Sequence, residues 1–149
     1  MRDAIAAAVK SAMKARDAAR LSTLRMMSAA IKNADIEART EGKPAPGSDA
    51  LMSLLQKLVK QRQESAELYD KGGRPELAAK ERAEIVVIRS FLPQEMDEAE
   101  TRAAIAAATA ETGASSAKDM GKVMAALKAA YAGRMDFAKA SGVVKQMLA

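Results

Sequence analysis

The chain contains no cysteine, no histidine and no tryptophan in its 149 residues. Without cysteine there is no disulfide framework, no thiolate nucleophile and no thiolate metal site. The absence of histidine excludes more, because histidine is the usual general base near neutral pH and the commonest transition-metal ligand. Any catalysis would fall to carboxylates, lysines, Tyr69 or Tyr131, which weights the reading towards binding or scaffolding. No catalytic residue, metal or cofactor is expected. Aromatic residues make up only 3% of the chain, so the core must be built from Leu, Ile, Val, Met and Ala, a set that suits packed helices better than sheets. No apolar run approaches the roughly 20 residues of a membrane span, and no membrane partner is expected. The N-terminal stretch is weakly amphipathic, like a transit peptide, but it contains Asp3 and runs on to Asp17 as a plausible core helix. A cytoplasmic location is therefore expected.

What is present is a soluble globular composition, 49% hydrophobic and 29% charged, with ten methionines to supply soft, adaptable packing. The net charge of +5 is unevenly distributed. Residues 93–111 carry one basic and five acidic groups, whereas residues 112–149 carry six basic and two acidic ones. The C-terminal segment is thus a basic unit behind an acidic helix.

Apolar periodicity marks seven helical segments and no credible strand. The first, about residues 2–17, places Ile5, Ala8, Val9, Ala12 and Met13 on one side, and the second, about 20–39, does the same with Leu24, Met27, Ile31, Ala34 and Ala38. A turn-rich loop over 41–48, expected to be mobile, leads to a third helix capped by Ser48 or Asp49 and running to about Asp70. Gly72-Gly73 ends that helix and Pro75 opens the fourth. Pro93 disfavours helix at Leu92 and marks the best domain boundary. Asp97 caps a fifth helix, with Glu98 and Glu100 in its first turn where the helix dipole favours anions, and this helix stops near Gly113. Two shorter helices follow at about 116–131 and 136–148. The expected fold is all-α, with an N-terminal four-helix domain at 1–92 and a C-terminal three-helix domain at 93–149.

Charged residues fall inside two of the apolar stripes. On the third helix Leu51, Leu54, Leu55, Leu58, Ala66 and Tyr69 share a face with Arg62 near its middle. On the fourth, Leu77, Ile85, Ile88 and Leu92 define a face that contains Glu81, with Glu84 at its edge. Counted outward from the Gly-Gly turn, these charges meet in an antiparallel pair, predicting an Arg62–Glu81/Glu84 ion pair partly shielded from water. Such a pair serves helix register more reliably than stability. A polar site for a ligand amine or carboxylate is the other reading. Carboxylate-bridged metal sites add histidine ligands, and this chain has none.

Two basic surfaces stand out. On the second helix Arg25, Lys32 and Arg39 recur every seven residues as a ridge away from the apolar stripe, with Asp35 and Glu37 nearby. On the sixth, Met120, Val123, Met124, Leu127 and Tyr131 cover one face and Lys118, Lys122 and Lys128 the other. The seventh turns Phe137, Val143, Val144, Met147 and Leu148 inward and leaves Lys139 and Lys145 outside, while Arg134 sits at the Gly133 turn between the two helices. Six cations on one small bundle suit a phosphate backbone followed without base readout. No single-strand-reading motif is present, so an RNA partner is expected to be structured and recognised by shape. There is no Walker loop and no dinucleotide fingerprint.

Several stretches carry a family resemblance: Thr23-Leu24-Arg25, Ala30-Ile31-Lys32-Asn33-Ala34-Asp35-Ile36-Glu37, Lys60-Gln61-Arg62-Gln63-Glu64-Ser65, Gly72-Gly73-Arg74, Glu81-Arg82-Ala83-Glu84-Ile85, Phe91-Leu92-Pro93, Asp119-Met120-Gly121-Lys122-Val123-Met124, Gly133-Arg134 and Val143-Val144-Lys145. Together and in this order they resemble the GatB/YqeY family, specifically its free-standing YqeY-like proteins. The resemblance implies an all-helical protein whose C-terminal part is similar to the tail domain of the GatB subunit of tRNA-dependent amidotransferases. In those enzymes the tail grips the tRNA body, while the glutamine-dependent amide transfer takes place in other domains, including a cradle that uses metal and ATP. Nothing in this chain matches that cradle. What is implied is tRNA binding through the C-terminal domain, with Lys122, Arg134 and Lys145 as candidate contacts and amidotransferase subunits or other translation proteins as further partners. Two alternatives stand beside this adaptor reading: a subunit or accessory of a carbon–nitrogen ligase with glutamine as amido donor, and a protein-interaction module without RNA.

Overall fold

The computed structural model describes all residues 1–149. It is all-α, with no strand: α1 (Arg2–Ala15), α2 (Ala18–Thr40), α3 (Ser48–Lys71), α4 (Pro75–Arg89), α5 (Glu98–Thr112), a 3-10 turn at Ala117–Asp119, α6 (Met120–Tyr131) and α7 (Phe137–Met147). The chain forms two compact units, Met1–Pro93 and Gln94–Ala149.

In the first unit the helix ends follow local chemistry. Arg16 closes α1 in the left-handed region at φ 55°, and the Asp17 carboxylate accepts the Arg20 amide to cap α2. Gly73, at φ 70°, makes the turn after α3, and Pro75 opens α4 where its missing N–H costs nothing. The N-cap of α3 is Gly47, with no side-chain cap, rather than Ser48 or Asp49, both of which lie inside the helix. The loop before it is tied down at two points: the Lys43 amide donates to the Ala38 carbonyl at 2.8 Å, and Arg2 donates to the Pro46 carbonyl at 3.1 Å. Leu24, Met27, Leu55 and Ile88 are fully buried at the centre, joined by Ile5, Ile31, Leu51, Val59 and Ile85. Met13 departs from the expectation. At 53% exposure it lies outside the core, because it stands about 80° from Ile5 and about 100° from the buried Ala12 around the helix, at the edge of the stripe.

In the second unit Asp97 and Glu100 form a reciprocal capping box at the start of α5, and Gly113 ends it at φ 67°. The sixth segment begins as a 3-10 turn, because the Asp119 side chain draws back to the Ser115 amide at 3.0 Å. Asp136 caps α7 by accepting from Ala138 and Lys139. Ile105, Val123, Leu127, Met135, Ala140 and Val144 make the core. Met147, expected inside, is 41% exposed, while Leu148, also expected inside, is buried.

Two glycines of this unit are expected to respond to alanine with opposite signs. Gly142, on the exposed face of α7 with open space at its Cβ position, should gain about 0.4–1 kcal/mol as alanine, through a less flexible unfolded chain. Gly113 has the same open surroundings but a positive φ, so alanine there should cost about 1–2 kcal/mol. Urea unfolding of both variants measures the difference.

Candidate functional site

The most tightly organised polar group lies where α2, α3 and α4 meet. Arg62 on α3 donates from Nε to Glu84 Oε2 on α4 at 2.8 Å, from Nη1 to the Leu58 carbonyl at 3.1 Å, and from Nη2 to Met26 Sδ on α2 at 3.2 Å. The side chains of Arg62 and Glu84 are 15% and 24% exposed, so water screens the pair only in part. Glu81 does not share the guanidinium. Arg62 lies ten residues before Gly72 and Glu84 eleven after Gly73, so the two sit level across the hairpin, whereas Glu81 falls one turn too close to the bend. No group of three or more acidic, His or Cys side chains converges as a metal site.

Two further arginine–aspartate pairs on this unit have no counterpart in the sequence reading. Arg2 grips Asp35 with two hydrogen bonds of 2.8 Å, joining the start of α1 to α2, and Arg82 pairs with Asp70 across the α3–α4 turn. In each case donation from the guanidinium holds the carboxyl below the usual aspartate range. Long arginine side chains span turns in ways that residue counting does not register. Arg25, Lys32 and Arg39 are all exposed on α2, and none forms an ion pair with an acid.

On the second unit Lys118, Lys122, Lys128, Lys139 and Lys145 are all exposed, and none forms a salt bridge. The first three lie on the outer side of the 3-10 turn and α6, and the last two on the outer side of α7. Their surroundings differ. Lys139 lines a cleft of about 340 Å³ with Glu95, Glu98 and Asp136, which offset its charge. Lys122 lies near Asp119, whose carboxyl is held low by the Ser115 amide first and by Lys122 to a smaller degree. Arg134 is different in kind. Its Nε donates to the Gln94 carbonyl at 3.2 Å and its own carbonyl accepts the Met96 amide at 2.8 Å, so it latches the entry strand of this unit to the α6–α7 turn.

A family model described as Yqey-like protein matches residues 2–148. The chain belongs to the YqeY family. Among curated proteins it is similar to three that carry the name altered inheritance of mitochondria protein 41, mitochondrial. The one from Lachancea thermotolerans is 38% identical over 86 residues, covering 58% of this chain and 44% of that protein. That from Eremothecium gossypii is 38% identical over 84 residues, 56% of this chain and 44% of the relative. The Vanderwaltozyma polyspora protein is 34% identical over 96 residues, with 60% and 50% covered. The chain thus spans about half the length of the curated relatives it matches. No helix of this YqeY-family chain is long and apolar enough to cross a membrane.

Arg62→Ala is expected to destabilise the first unit by about 1.5–3 kcal/mol, the range for a shielded charged hydrogen bond, and Glu84→Gln by less. Urea midpoints measure both, and a loss below about 0.5 kcal/mol for Arg62→Ala would mark the pair as solvent-screened. The lowered carboxyls of Asp35, Asp70 and Asp119 set an acid limit. Each binds fewer protons folded than unfolded, so its contribution is complete above the ordinary aspartate value of 3.8 and is lost as pH falls through the lower folded value. Thermal melts between neutral pH and about pH 3 should therefore fall steeply only at the acid end, and Asp119→Asn should flatten part of that fall.

Proposed function

We propose that this YqeY-family protein is a non-catalytic, cytoplasmic helical adaptor whose second unit binds the phosphate backbone of structured RNA, tRNA in the first place. The observation that carries the reading is the set of lysines on the outer sides of α6 and α7. They are exposed, they form no salt bridge, and they sit in a segment with six basic and two acidic residues. Lysines held this way can neutralise phosphates, and release of the cations condensed along the nucleic acid drives association. Helices offer such charges along a ridge without presenting side chains to base edges, which suits recognition by shape. The family resemblance of the tail supports tRNA among structured RNAs, and it supports a link to glutamine-dependent amidotransferases as the setting in which the adaptor works.

Catalysis is not part of this role. The chain supplies neither histidine nor cysteine, and the shielded Arg62 guanidinium is spent on groups from three helices. A carbon–nitrogen ligase reaction would have to come from a partner. Incubation of the purified chain with charged tRNA, glutamine and ATP is expected to yield no amidated product, and amidation by the chain alone would overturn the adaptor reading.

The binding test removes three of the exposed lysines that form no salt bridge. Lys122→Ala, Lys128→Ala and Lys145→Ala together should weaken bulk tRNA binding and lower the slope of log affinity against log salt by about 2–3, near the value for three lost phosphate contacts. Fluorescence anisotropy over a salt series provides both numbers, with circular dichroism confirming the fold. Unchanged affinity and slope would remove the reading. Arg134 is left out of this set because its loss should unfasten Gln94 and lower the melting temperature of the second unit whether or not RNA is present.

A further inference from the structure

The first unit carries a basic surface of equal weight that the reading above leaves unused. Residues 1–40 contain eight Lys/Arg against four Asp/Glu, the same excess of four as residues 112–149. Two of those acids are already occupied: Asp17 caps α2, and Asp35 is gripped by Arg2 through two hydrogen bonds. Glu37 lines a groove against the start of α3, together with Ala34, Ala38, Pro46 and Leu54. Asp3 is left as the free acid of the hairpin's outer side.

The Arg2–Asp35 pair also fixes which side faces outward. α1 and α2 run antiparallel, and this pair closes the seam between them. On α2, Arg25, Lys32 and Arg39 each lie within about a quarter turn of Asp35, and on α1 Lys10 lies within a quarter turn of Arg2. These four cations flank one seam, exposed, and none forms a salt bridge. From Arg25 to Arg39 the ridge runs roughly 21 Å at about 1.5 Å per residue.

We propose that the outer face of the α1–α2 hairpin is a second phosphate-binding surface, on which Lys10, Arg25, Lys32 and Arg39 hold the backbone of structured RNA. This rests on the RNA reading of the second unit and adds a surface on the first. Charge complementarity selects a polyanion. The exposed apolar side chains nearby, Met13 at 53% and Ile36 at 58%, stand singly at opposite ends of the hairpin. They form no stripe that would enter a bilayer and no pocket that would anchor a partner helix.

The test uses the full chain and bulk tRNA. Arg25→Ala/Lys32→Ala/Arg39→Ala should weaken binding on the order of tenfold at moderate salt and reduce the salt slope by about 2–3. The charge-reversed Glu triple should weaken it further, with the melting temperature unchanged in both. Wild-type affinity and slope in both triples, while the lysine triple of the second unit still loses binding, would overturn this surface alone. Wild-type behaviour in all variants would take down the RNA reading itself. A parallel arm with phosphatidylserine-containing vesicles addresses the competing occupant: vesicle binding lost in the ridge triple, with tRNA binding intact, would reassign the face to a membrane and overturn the proposal.

Discussion

The architecture of the first unit turns on one guanidinium. Arg62 is placed in the apolar stripe of α3, where an unpaired cation would be costly, and its three nitrogens donate to a carboxylate, a carbonyl and a thioether from three helices. A purely aliphatic interface between α3 and α4 would tolerate sliding by a turn, since Leu, Ile and Ala repeat along both faces. The Arg62–Glu84 bond does not. It sets the register of the hairpin, and through Met26 it sets where α2 lies against it.

Around that clamp the molecule separates its charges by location. Acids collect at helix starts, where they cap: Asp17, Asp97 with Glu100, and Asp136. Other acids are matched one to one with arginines, as in Arg2–Asp35 and Arg82–Asp70. The lysines are mostly left over. A net charge of +5 therefore understates the positive field of two faces, the α1–α2 seam and the outer sides of α6 and α7, because the compensating acids are committed elsewhere.

Much of this was readable from residue order. The helices came from 3.6-residue periodicity in a chain with few aromatics, and their ends from Gly72-Gly73, Pro75, Asp97 and Gly113, each with a local mechanism that tertiary context does not override. The level of Arg62 with a glutamate of α4 followed from counting across a tight turn. Some readings missed for physical reasons, Glu81 among them because it lies a turn too close to the bend to reach Arg62. Met13 stands at the edge of its stripe and Met147 is the last residue of α7, and both are exposed. The α3 cap passed to Gly47 because the loop enters the helix one residue earlier than Ser48 would require. The fraction of the candidate site that concerned Arg134 was legible as a cation but not as a latch, since its partner Gln94 is forty residues away.

Composition and spacing determined an all-helical chain without histidine or cysteine chemistry, a basic C-terminal segment, and a buried charge pair across a hairpin, because all of these depend on residue identity and separations within one or two helices. Tertiary structure decided which cations are free. Arg2, Arg82 and Arg134 look like surface charges in the sequence and are consumed by groups brought near only on folding, while Arg25, Lys32, Lys128 and Lys145 form no salt bridge. Whether a charge is available to a partner is a property of its neighbours in space, and those neighbours are set by packing.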